Sequence, residues 1–219
     1  MLEVDAPTAT RKDLHLGRRL LHMASGIVVA IAYGLFFTHS QAIQLLGTIA
    51  CIAYVVDRVR VAYPEIARKL EKLTNFFLRA EERLKESSMI PYVIGILLTL
   101  LSFPKPIALI AILTLAIADP LSAIIGILYG KHHFFVREKT LEGSVAFLSV
   151  TLLCSFAILF NATLAPWWLV LTVSILLSVA VTAFEMLPLK LDDNLTIPLF
   201  VGFAGWGLCF LAQIPLFPF

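Results

Sequence analysis

The chain has 219 residues, of which 59% are apolar and only 15% charged, with a mean hydropathy of +0.91; a soluble domain is about 45–50% apolar and about 25% charged. The excess apolar surface needs lipid to face, and at about 20 residues per spanning helix the length admits at most seven or eight spans, which excludes a separate soluble domain. The net charge of +2 comes with neither a basic tail nor a zinc-like cysteine spacing, so nucleic acid is excluded as a partner, and Cys51, Cys154 and Cys209 lie far apart in apolar runs as small hydrophobes.

Residues 1–18 are polar and mixed in charge, unlike the short basic start of a signal peptide, and are expected to lie along the membrane surface. Two apolar runs follow, at 20–38 and 41–56, the second ended by Asp57 and Arg58. Residues 63–88 change character. Ile66, Leu70, Leu73, Phe77 and Leu84 recur at helical spacing with charges between them, which predicts an amphipathic helix on the cytosolic side of the interface; Pro64 suits its first turn. A short third run, 89–103, is turned by Pro104 and Pro106. The fourth, 107–128, is interrupted by Asp119-Pro120, and a polar loop occupies 129–142. The fifth, sixth and seventh runs are 143–160, 167–187 and roughly 195–216. The expectation is an all-α, polytopic membrane protein of about seven transmembrane helices plus one interfacial amphipathic helix, with residues 1–219 forming one domain.

Positive residues set the topology, because Lys and Arg concentrate in cytoplasmic loops. Of the 17 Lys and Arg, 16 fall at the N-terminus, in 57–88, in 129–142 and in 188–194, segments separated by pairs of spans; only Lys105 lies in the opposite loops. This predicts a multi-pass protein with a cytosolic N-terminus and, after seven spans, a C-terminus outside.

Four polar clusters stand out against this background. Asp119 sits inside the fourth run, where a carboxylate costs several kcal/mol, on the order of +2.5–3.5, unless solvated, paired or bound to a metal. Pro120 beside it removes a backbone donor and loosens the helix. A structural partner for an Arg or His of another helix is the plain alternative; a ligand in a polar cavity is the functional one. Gly126 and Gly130 follow, four apart on one face, and by themselves read as helix packing. Lys131, Arg137 and Lys139 cluster in the cytosolic loop. Arg137 fits the positive-inside signal, whereas Lys131 and Lys139 fit phosphate contacts. Thr140, Gly143 and Ser144 open the fifth helix, and a helix N-terminus attracts phosphate. Glu142 in the same turn would cap the helix or hold a metal.

In the third cluster, Glu185 lies near the end of the sixth run, and Asp192, Asp193 and Asn194 in the turn into the seventh. Asp and Asn are ordinary N-caps there. Yet Asp119, Glu142, Glu185 and Asp193 all come to one side of the membrane, beside Lys131 and Lys139. Hard oxygen ligands with lysines are what Mg²⁺–polyphosphate chemistry requires. At the N-terminus, His15 and His22 are seven apart on one helix face, with Arg18 and Arg19 between them. These are snorkelling anchors or contacts to phosphate or a lipid head group.

Together these stretches resemble the CTP-dependent lipid-alcohol kinases, the family of dolichol kinase, phytol kinase and yeast-type diacylglycerol kinase. RRLLHMASG, residues 18–26, looks like the family's Arg-Lys-x-x-His-x-x-x-Gly element, with Arg19 in the place of its Lys; RKDLH, residues 11–15, also fits the start of it. ADPLSAIIGILYGKHHF…KTLEGS is similar to the central motif from Asp119 to Ser144, and DDNLTIPLFVG, residues 192–202, to the Asp-Asn-Leu-Thr-x-Pro element.

The resemblance implies CTP as phosphoryl donor, Mg²⁺ as cofactor and a lipid alcohol as acceptor: polyprenol or dolichol type first, with phytol, geranylgeraniol and diacylglycerol as further candidates. There is no Walker A pattern. On this reading Lys131 and Lys139 contact the triphosphate, with Gly126, Gly130, Thr140, Gly143, Ser144 and Asn194 completing the nucleotide site. Asp119 and Glu142 hold Mg²⁺, Glu185 or Asp193 orients or deprotonates the hydroxyl, and Arg18, Arg19 and His22 meet phosphate or head group. The active site faces the cytosol among membrane lipids. The central motif also looks like part of the CDP-diacylglycerol synthases, cytidylyltransferases that move CMP onto a lipid phosphate, but their longer C-terminal signature is absent. A small transporter would also bury Asp119 yet gives no reason for a glycine–lysine loop, and a membrane scaffold would bind no CTP. Oligomeric state has no signature here.

Overall fold

The computed structural model describes residues 16–63, 89–133, 139–189 and 191–216. Residues 1–15 of the expected surface-lying N-terminus, 64–88 of the expected amphipathic segment, Arg137 and the side chain of Arg18 lie outside these.

The described residues are all-helical. Helix α1 is Leu16–Leu35 and α2 is His39–Ala62. Thr38 starts α2 through a capping box, its hydroxyl accepting from the Gln41 N–H while the Gln41 side chain accepts from the Thr38 N–H. Helix α3 is Met89–Ser102 and α4 is Lys105–Leu113, with Pro106 in the first turn where no intrahelical donor is missed. A π turn, Thr114–Ala118, joins α4 to α5, Asp119–Tyr129, so that the two run on as one rod. Helices α6 (Leu141–Ala162), α7 (Trp167–Glu185) and α8 (Asp193–Leu211) complete the order.

Five helical stretches are long and apolar enough to cross a membrane: His39–Val59, Lys105–Tyr129, Leu141–Ala162, Trp167–Glu185 and Asp193–Leu211. The first and third expected runs form helices too, but their apolar portions, His22–Leu35 and Ile90–Ser102, are shorter. At 1.5 Å per residue each covers only about 20 Å, less than a hydrocarbon core of about 30 Å.

Burial identifies the centre of the bundle. The most apolar stretch of the Lys105–Tyr129 rod is 67% buried, against 33–39% for those of α6, α7 and α8 and 6% for that of α2. Ile107, Ile110, Ile112 and Leu115 of the rod meet Phe147 of α6, Leu177 and Val181 of α7 and Ile197 and Val201 of α8 in one continuous core. The outward side chains are apolar as well; Val28, Leu153, Phe203 and Phe210 are all more than 60% exposed. A soluble monomer does not present so much apolar surface, whereas acyl chains accommodate it.

Helix α1 reaches the rod at the π turn. A Cβ built on Gly26 would collide with the Ala116 side chain and lie 3.2 Å from the Ala116 Cα. Glycine therefore sets the distance between α1 and the rod. Gly26→Leu is expected to lower stability by about 2 kcal/mol, a typical overpacking cost; a reduced thermal midpoint of the purified protein checks it.

Candidate functional site

Asp119 owes its setting to the backbone before it. Its N–H bonds the Thr114 carbonyl across a π-type turn, and Pro120 supplies no N–H at all. The helix widens where the carboxylate leaves it, a local irregularity frequent at functional sites. The Ser122 hydroxyl donates to the Asp119 carbonyl at 2.8 Å and steadies the turn. The Asp119 carboxylate lies in the electrostatic field of Arg19 from α1, Lys139 before α6, Glu185 at the end of α7 and Asp193 at the start of α8. At this end of the bundle α1 begins, the central rod comes to its end, α6 begins, α7 stops and α8 begins. Charges far apart in the sequence meet because the chain alternates direction.

Lys139 is the hub. Its ammonium donates to both the carboxylate and the backbone carbonyl of Glu185 and stands 3.8 Å from the Asp193 carboxylate. Glu185 is buried, and its Oε2 has no hydrogen-bond partner among the described residues. Among the described residues Asp119 thus meets two further acidic side chains and two basic ones, beside a buried carboxylate oxygen that accepts no hydrogen bond.

The glycines build the loop beside this hub. A Cβ on Gly126 would stand 2.9 Å from the Thr140 hydroxyl, one on Gly130 would collide with the Thr140 methyl, and one on Gly143 would stand 2.7 Å from the Ser122 carbonyl. Thr140 is buried and caps α6 by accepting from the Gly143 N–H at 3.1 Å. Ser144 is buried one turn on, its N–H bonded to the Thr140 carbonyl. Close packing of the loop onto α5 therefore accounts for all three glycines, and it delivers Lys139 to Glu185.

Other expected site residues have neighbours of their own. Glu142 accepts from His132, with 2.9 Å between its carboxylate and the ring Nδ1, at an exposed part of the loop. Lys131 is exposed. Asn194 is engaged in the cap of α8, its backbone and side-chain N–H groups both donating to Asp192, as the ordinary N-cap reading expects. His22 packs edge-on against Tyr92, ring centroids 4.7 Å apart. Tyr92 is the neighbour that pattern reading passes over: one tyrosine in a short apolar helix looks like an interfacial anchor. Among the described residues no three His, Cys, Asp or Glu form a group that could hold a metal ion by themselves.

The chain is 25% identical over 146 residues to CTP-dependent diacylglycerol kinase 1 of Schizosaccharomyces pombe, covering 66% of this chain and 67% of that protein. It is 24% identical over 134 residues to CTP-dependent diacylglycerol kinase 1 of Saccharomyces cerevisiae, covering 61% of this chain and 46% of that protein. It is 28% identical over 194 residues to an uncharacterized protein of Rickettsia prowazekii, covering 85% and 91%. No protein-family profile matches the chain, and no solved structure does. The chain is thus similar to two yeast CTP-dependent lipid kinases at 24–25% identity.

Proposed function

We propose that the protein transfers the γ-phosphoryl group of CTP to the hydroxyl of a membrane lipid alcohol, giving the lipid monophosphate and CDP. The observation that carries this is Lys139, held between Glu185 and Asp193 and within electrostatic reach of Asp119. Phosphoryl transfer needs cations on the phosphates and carboxylates for a metal and for the acceptor proton. The similarity to yeast enzymes named for diacylglycerol favours diacylglycerol over the polyprenol-type acceptor that the motifs suggest first.

The donor set suits Mg²⁺. This ion takes one or two carboxylates and completes its shell with water and substrate phosphate. Asp119 and Glu185, whose Oε2 is buried without a partner among the described residues, are the pair that would hold it; Glu142 is committed to His132. Held by these carboxylates, Mg²⁺ would supply positive charge to offset that of the phosphates. Lys139 and Arg19 hold the triphosphate near the start of α6. Asp193 takes the proton of the lipid hydroxyl as its oxygen bonds to the γ-phosphorus. The bond from that phosphorus to the β–γ bridging oxygen breaks, CDP leaves with the electron pair, and the proton passes to solvent. The remaining topology of the reading is one domain of seven spans, with the site and the N-terminus cytosolic.

Purified protein given CTP labelled at the γ position, with diacylglycerol and a polyprenol in separate micelles, is expected to form labelled lipid and CDP. With a lipid phosphate offered as acceptor, release of labelled pyrophosphate with CMP on the lipid would identify a cytidylyltransferase instead, and the absence of both products refutes the proposal.

A further inference from the structure

The Tyr92 hydroxyl is buried and has no hydrogen-bond partner among the described residues. Phenol hydroxyls withdrawn from water nearly always bond something, so its surroundings are informative. The ring packs edge-on against His22 of α1. A Cβ on Gly26, one turn further along α1, would lie 3.3 Å from the hydroxyl and against Ala116. Ala116 precedes Asp119 by three residues, and Arg19 precedes His22 by three. The hydroxyl thus sits about one helical turn along these helices from Arg19 and Asp119, toward the interior of the bilayer.

The other side of Tyr92 leads to the same site. Three residues along α3, a Cβ on Gly95 would come 3.0 Å from the Leu195 Cα and close upon the Asn194 carbonyl. Helix α3 is therefore docked on the turn that presents Asp193. Helix α1 packs on α4, the π turn and α5, while α3 packs on α2, α4 and α8. Among the described residues α1 and α3 share no extended packing, and the His22–Tyr92 ring pair spans the boundary between them. A water-borne triphosphate reaches the hub from the loop side. An acceptor with acyl chains must approach from the bilayer, and this boundary leads from there to Asp119.

We infer that Tyr92 is a substrate-positioning residue of the acceptor subsite, its hydroxyl donating a hydrogen bond to an oxygen in the head region of the lipid alcohol. That oxygen is either the reacting hydroxyl or an ester carbonyl beside it. The inference rests on the phosphoryl-transfer reading above and adds a residue that none of its motifs contains.

Tyr92→Phe tests it, because phenylalanine keeps the ring on His22 and deletes only the donor. With full-length protein in micelles, kcat/KM for the lipid at saturating CTP is expected to fall about tenfold, the effect of one lost neutral hydrogen bond, while KM for CTP and the thermal midpoint hold. Equal loss with diacylglycerol and with a polyprenol places the bond on the reacting hydroxyl; loss with diacylglycerol alone places it on the ester carbonyl. Both support the inference. Wild-type lipid kinetics, or an effect confined to KM for CTP, overturns it. Photolabelling by a diazirine-bearing diacylglycerol supplies a readout that needs no turnover. Weaker labelling of the variant upholds the subsite even if the wild-type protein forms no CDP, in which case phosphoryl transfer alone fails; equal labelling without turnover overturns the subsite.

Discussion

Lys139→Ala is expected to reduce turnover of CTP by about 10³-fold, the scale on which a positioned charge at a developing anion acts. The ammonium is gripped from two sides, by Glu185 at the end of α7 and Asp193 at the start of α8. A lysine serving only the positive-inside bias would hang in solvent, and its loss would leave catalysis untouched. Alanine also leaves the buried Glu185 carboxylate without its cation, a situation that costs on the order of 3–5 kcal/mol in a dry interior and less here, where part of the lysine is exposed. Lys139→Arg keeps the charge and separates the two effects: it is expected to restore the thermal midpoint and only a fraction of the turnover, because a planar guanidinium cannot repeat the ammonium's three-way contact. Steady-state rates with γ-labelled CTP, taken beside thermal midpoints, check both. An alanine variant within a few-fold of the wild-type rate removes Lys139 from the mechanism.

What could be read before the fold was known follows from which forces act locally. Apolar runs are long-range statements about solvent, so they mark the helices, and the 107–128 run became the rod Lys105–Tyr129. The depth of Asp119 in that run already made it expensive, hence informative. The π turn before it left no periodic trace: an extra backbone residue per turn looks the same in sequence until Ala116 is seen against Gly26. Gly126 and Gly130 by themselves read as helix packing, and the resemblance added them and Gly143 to the nucleotide site; in the fold each is needed to admit Thr140 or the Ser122 carbonyl. Glu142, in the first turn of α6, read as a helix cap or a metal ligand; its neighbour across the loop, His132, is set by the chain's return from residue 133 to 140. The Lys139–Glu185 pair joins residues 46 apart, and only the packing of α6 on α7 brings them together. Tyr92 had no polar neighbour in sequence to mark it, since what distinguishes it is a missing bond.

Asp119→Asn is expected to abolish detectable transfer, a loss of at least about 10³-fold, while leaving the thermal midpoint unchanged or raised. The opposite signs are the point. Asp119 shares its surroundings with Glu185 and Asp193, and Arg19 and Lys139 answer three acids with two cations. Like charges crowded in a medium of low dielectric repel, so a neutral amide of the same shape relieves the folded state. A carboxylate kept as a structural partner for Arg19 predicts the reverse, since removing one member of a buried pair strands the other. If Asp119 and Glu185 share Mg²⁺, the Mg²⁺ concentration for half-maximal rate should rise steeply in Glu185→Gln, which retains Asp119, and the asparagine variant should show no rate at any Mg²⁺ concentration. Mg²⁺ should also raise the thermal midpoint of the wild-type protein in the presence of CTP and fail to raise that of the Asp119 variant, by the mass action of a ligand that binds only the folded state. A variant that is destabilised yet retains most of its turnover would make Asp119 a strut of the bundle and move the chemistry elsewhere.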